Sequence, residues 1–77
     1  MKVIQIYGTG CPKCQALTAN VEAAARELDI EIELDKVTEI RDIAAAGVLM
    51  TPGLAIDGQI KSSGHLLSVH QVKKLLL

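Results

Sequence analysis

The chain has 77 residues, 49% of them apolar, and its 8 basic and 9 acidic residues leave a formal charge of −1. That length suits one domain (residues 1–77), near the lower limit of what folds without a staple. The balanced charge lacks the basic stripe of a nucleic-acid binder, and no apolar run approaches the roughly 18 residues that cross a bilayer, so neither nucleic acid nor membrane is an expected partner.

Lys2 to Tyr7 reads as a strand with both faces partly apolar, which suits the middle of a sheet. Gly8-Thr9-Gly10 reads as a flexible connector. Pro12 falls at the first helical position, where its missing N–H costs nothing. Cys14, Leu17, Val21, Ala24, Ala25 and Leu28 then recur at helical spacing, with Thr18, Asn20, Glu22, Arg26 and Glu27 mostly opposite. Cys14 therefore lies on the buried row of this helix and Cys11 does not.

Ile30 to Asp35 alternates apolar and acidic, the pattern of a strand covered on one face, with Glu31, Glu33 and Asp35 as a solvated edge. Thr38 is the expected N-cap of a second helix, Glu39 to Ala46, with Ile40, Ile43 and Ala44 inward and Gly47 ending it. Gly53 to Ile56 and Gln59 to Ser62 flank Asp57-Gly58, a two-residue hairpin signal. Ser68 caps a final helix with Gln71 in the capping-box position, Leu67 stapled onto Val72, and an inner stripe of Val69, Val72, Leu75 and Leu76. The order is βαβαββα. A strand–helix–strand unit requires a parallel right-handed crossover and the hairpin an antiparallel pair, so the expected architecture is α/β, a mixed four-stranded sheet flanked by three helices. Trp and Phe are absent and Tyr7 is the single aromatic, so the core must come from Ile, Val, Leu and Ala. Tyr7 serves either beneath the cysteine loop or as plain core filling.

The only cysteines form Cys11-Pro12-Lys13-Cys14, after the first strand and before the first helix. Two thiols at this spacing can close a disulfide across one helical turn. Cys11 falls where the unsatisfied N–H groups and the macrodipole of the helix favour a thiolate, so its pKa is expected below the free value of about 8.5. Lys13 adds a screened positive charge. A structural staple is the plain alternative, but so short a loop stabilises by only roughly 2 kcal/mol. The other rival is a copper or zinc carrier using the same two thiols. Such metallochaperone-like domains run βαββαβ and end on a strand, and a closed zinc site takes about four protein ligands. His65 and His70 read as surface imidazoles, so no resident metal is expected. The first residues lack the apolar stretch of about 7–15 residues of a signal peptide, which makes the cytoplasm the expected compartment. The acid-rich second strand points to a monomer.

Gly8 to Cys14, followed by a helix, then Thr51-Pro52 before a hairpin and a short last helix, resembles the small thioredoxin-like redox-active disulfide proteins of archaea and bacteria across the whole chain. The resemblance implies a thioredoxin fold and a thiol–disulfide oxidoreductase that reduces protein disulfides, Cys11 attacking and Cys14 resolving. It implies no cofactor beyond the Cys11–Cys14 disulfide, and as partners disulfide-containing proteins and a reductase that recharges the dithiol. It makes Pro52 cis and packed beside the disulfide, and Thr51 the residue whose backbone docks an extended substrate segment. Met50, just before it, is either an adaptable contact at the docking groove or core. The chain carries Gly10 where thioredoxins have an aromatic residue, Gln5 where they bury an acid, and Pro12-Lys13 between its cysteines. Ser63-Gly64-His65 stands where glutaredoxins hold glutathione with a Gly-Gly pair.

Overall fold

A computed structural model describes all residues, 1–77. The elements are β1 (Lys2–Tyr7), α1 (Pro12–Glu27), β2 (Ile32–Val37), α2 (Ile40–Ala45), β3 (Gly53–Ile56), β4 (Gln59–Ser63) and α3 (Val69–Leu76). The sheet runs β2-β1-β3-β4, with β1 parallel to β2 and antiparallel to β3, and β3 antiparallel to β4. This is the mixed α/β sheet that the segment order implied and the thioredoxin-like fold that the resemblance implied. No helix is long and apolar enough to cross a membrane.

Strand alternation divides the core between the two faces of the sheet. Ile4 lies opposite Ile56 and Ile6 opposite Leu54. These four pack with Leu17, Val21 and Ala24 of α1 and Val72 and Leu76 of α3 in one buried cluster. Tyr7 and Ala55 point the other way, into a smaller cluster with Ile43 and Val48. Tyr7 is thus core filling on the α2 side, its hydroxyl donating to Gln5 Oε1 at 3.0 Å. Burying each large aliphatic side chain contributes roughly 1.5–3 kcal/mol, so most of the fold's hydrophobic stabilisation lies under α1 and α3.

Local chemistry accounts for the boundaries. Asp57 and Gly58 both have positive φ (50° and 85°), as a two-residue hairpin turn with the twist of its strands requires. The turn is clipped to β1 by Asp57 N donating to Val3 O and Val3 N donating to Asp57 Oδ1. Both halves of the capping box at α3 are present: Gln71 N donates to Ser68 Oγ and Ser68 N to Gln71 Oε1. Leu67 and Val69 pack against the cluster that holds Val72, as the stapled, amphipathic end of the chain requires.

Three expectations are corrected. The second strand spans Ile32–Val37 rather than residues 30–35. After α1 the chain turns through Asp29 (φ 54°) and Ile30 N donates back to Ala25 O, so Ile30 and Glu31 only lead into the strand. At its other end Lys36 falls on the inward side of the alternation, so hydropathy ended the strand early, whereas pairing with Ile6 and Tyr7 extends it to Val37. Thr38 is not the N-cap of α2. Glu39 is, without a side-chain cap bond. Within α2 only Ile43 is buried, and Ile40 (73% exposed) and Ala44 face solvent, because this six-residue helix covers just the Tyr7 end of the sheet. Gly47 (φ 84°) ends it as expected.

Candidate active site

Cys11 is the N-cap of α1, with extended backbone (φ −63°, ψ 162°), and Pro12 opens the helix as expected. The Cys14 backbone N–H donates to Cys11 Sγ at 3.2 Å. Its sulfur therefore takes the place that a serine or aspartate oxygen usually fills at a helix start, and accepts one of the helix's free donors. Cys11 is half-buried, while Cys14, one turn on, is 4% exposed on the row that continues as Leu17 and Val21. The two form a disulfide with their Cα atoms 5.0 Å apart, inside the usual span for such a bond. Lys13 is exposed and makes no ion pair or hydrogen bond; the two ion pairs of the protein are Lys2–Asp57 and Lys73–Glu27.

Gly8 is not a flexible connector. It is buried, its N–H donates to Val37 O at 3.0 Å, and a Cβ added there would collide with Cys14 Sγ. That same Cβ position lies 3.8 Å from Thr51 Cβ, so bare backbone at Gly8 separates the disulfide from the Thr51 loop. The left-handed backbone belongs to Gly10, which has φ 91° and nothing near its missing side chain. Gln15 Nε2 donates to Gly10 O and Thr18 Oγ1 to Cys14 O, so the first turns of α1 are tied on both sides of the cysteine pair. Sequence patterning missed Gly8, Gln15 and Thr18. A glycine placed directly at a strand end, before a second one with room to turn, was the available signal for the first.

The Thr51-Pro52 peptide is cis and Pro52 is fully buried, while Thr51 is exposed. Thr51 forms no hydrogen bond through its backbone. Met50 is 65% exposed, which rules out the core reading. Beside it a shallow groove of about 340 Å³ runs between Ile40, Val48, Leu49 and Thr51. A second cavity, of about 380 Å³, opens behind Cys14 between Thr18, Lys36 and Thr38.

His65 and His70 are exposed, and nowhere do three His, Cys, Asp or Glu side chains come together in a way that could hold a metal. Pro12 at the helix start and the cis Thr51-Pro52 peptide have no role in a metal-carrying loop, so the metal-carrier reading is not favoured. A dithiol at a helix N-terminus, one sulfur capping and one sheltered, beside a cis-proline loop, defines a thiol–disulfide redox site.

Comparison with known proteins agrees over the whole length. The family model described as a thioredoxin domain matches residues 2–77. The chain is 46% identical over 76 residues to a thioredoxin of Methanothermobacter thermautotrophicus, covering 99% of both chains. It is equally 46% identical over 76 residues to a thioredoxin of Methanocaldococcus jannaschii, covering 99% of this chain and 87% of that one. The chain belongs to the thioredoxin family and is a thiol–disulfide oxidoreductase.

Proposed function

We propose that the protein reduces disulfides in other proteins, with Cys11 as the attacking sulfur and Cys14 as the resolving one. The observation that carries this assignment is the N–H of Cys14 directed at Cys11 Sγ. Once the dithiol is reduced, the same donor and the helix dipole stabilise a Cys11 thiolate, whereas burial gives the Cys14 thiol no such help. The Cys11 thiolate attacks one sulfur of the partner's disulfide, forms a mixed disulfide and expels the other sulfur as a thiolate. Cys14 then loses its proton to solvent and attacks Cys11 Sγ, forming Cys11–Cys14 and releasing the partner's second thiolate. Two electrons pass to the partner, and a reductase returns the protein to its dithiol form.

In this reading Thr51 presents its unpaired peptide groups to an extended partner segment, and Pro52 sets that peptide beside the sulfurs. Pro12 starts the helix that tunes Cys11, and exposed Lys13 adds a weaker, salt-screened contribution. The dithiol is the only redox group required, and the protein acts as a monomer in the cytoplasm.

Replacing Cys14 with Ser should trap partner proteins as mixed disulfides through Cys11, while Cys11→Ser should trap few. Equal trapping by the two variants overturns the assigned roles. An insulin disulfide-reduction assay, run beside titration of the reduced protein with Cu(I) and Zn(II), separates catalysis from metal carriage. Catalytic turnover is expected; tight stoichiometric metal binding without turnover contradicts the proposal.

A further inference from the structure

The end of β4 grips the loop that carries Thr51 from both sides. Gly64 N donates to Pro52 O at 2.9 Å, and Ser63 Oγ donates to Met50 O at 3.0 Å. The first bond is main chain to main chain and extends the β3–β4 ladder, in which Ser63 already lies opposite Gly53. The second needs a hydroxyl at position 63.

That hydroxyl makes the only hydrogen bond to the segment Leu49–Thr51. Packing does little to hold the same residues, since Leu49 is 92% and Met50 65% exposed. The Met50 side chain lies against Gly64, where an added Cβ would stand 2.9 Å from Met50 Cβ. So the stretch immediately before Pro52 is ordered from β4, at Ser63 and Gly64, rather than from the core.

We propose that Ser63 is a positioning residue for the docking loop: its hydroxyl holds the Met50 carbonyl and thereby keeps the Thr51 peptide groups fixed and free for an incoming protein segment. This rests on the reading of Thr51 as the docking residue. Ser63 touches neither sulfur, so it acts on binding of the partner and not on sulfur exchange. A loop ordered beforehand spares the partner the entropy of ordering it on contact, and loss of the hydroxyl transfers that cost to binding.

The test compares Ser63→Ala and Ser63→Thr with wild type on two substrates. One is a protein disulfide, insulin, followed at steady state; the other is 5,5′-dithiobis(2-nitrobenzoate), a small disulfide that needs no docking backbone. Ser63→Ala should raise KM for insulin about three- to tenfold, the weight of one exposed hydrogen bond. Its kcat, and its rate with the small disulfide, should stay within about twofold of wild type, and Ser63→Thr should restore KM to within about twofold. An unchanged KM in Ser63→Ala, an equal loss on both substrates, or a threonine variant no better than alanine overturns the role of Ser63. Wild-type protein that consumes the small disulfide yet leaves insulin intact refutes the docking reading itself, a separate outcome.

Discussion

Beneath α1 and α3 nine buried residues join both helices to Ile4, Ile6, Leu54 and Ile56, whereas beneath α2 four residues suffice, and the apolar side chains beyond them, Ile40 and Leu49, lie open to solvent. The candidate site draws on this difference. Cys14 belongs to the buried row of α1 and is anchored by the deep side. Thr51 rises from the thin side, on a segment held by a serine hydroxyl and a contact with a glycine. A buried sulfur thus sits beside a lightly held loop. If Thr51 docks the partner as proposed, stability and partner binding should be separable by mutation.

Leu17, fully buried at the centre of the deep cluster, should be the most damaging truncation: Leu17→Ala is expected to cost about 2–5 kcal/mol by urea unfolding. For a chain this short that is a large share of its total stability. Ile43→Ala, on the thin side, should fall at the low end of that range, about 2 kcal/mol, because its neighbours Tyr7, Val48 and Ala55 are few and the site is close to the surface. If Ile43→Ala cost as much as Leu17→Ala, the contrast between the faces would be lost. Ser68→Ala removes the hydroxyl oxygen that accepts from Gln71 N at the start of α3 while leaving the bond from Ser68 N to Gln71 Oε1, and should cost about 1 kcal/mol, read as a lower unfolding midpoint with an unchanged slope. Smallest of all, Leu49→Ser should alter stability by no more than about 0.5 kcal/mol, since the side chain is almost wholly exposed. A larger drop would show that the Leu49–Thr51 segment is packed more tightly than its exposure indicates.

The deep side was legible in the sequence and the thin side was not, for a physical reason. Helical spacing from Cys14 to Leu28 and the capping box at Ser68 are repeated, mutually consistent signals, and the structure has α1 and α3 where those signals place them. The Asp57-Gly58 hairpin likewise needs a backbone that few other residues adopt. A helix of six residues over one end of a sheet offers no such redundancy. Ile40 and Ala44 matched an inward pattern only because a turn and a half is too short to test it. The second strand was shifted for a related reason, since its last inward position is held by Lys36, and pairing with β1 rather than hydropathy extends it. Of the site, the cysteine pair could be read from its local motif, and the cis Thr51-Pro52 step only from the family resemblance. The contact of Gly8 with Cys14 was signalled only by that glycine's place at a strand end, and the bond of Ser63 to Met50 joins residues 13 positions apart, which no local pattern carries.

The most direct test of the central claim is a titration of the fully reduced protein, following thiolate absorbance and the rate of alkylation at each cysteine against pH. The Cys11 thiol should ionise well below the free-cysteine value of about 8.5, and Cys14 at or above it, since only the first sulfur caps the helix. Two thiols that ionise together at the free value, or a lower pKa at Cys14 than at Cys11, would contradict the account.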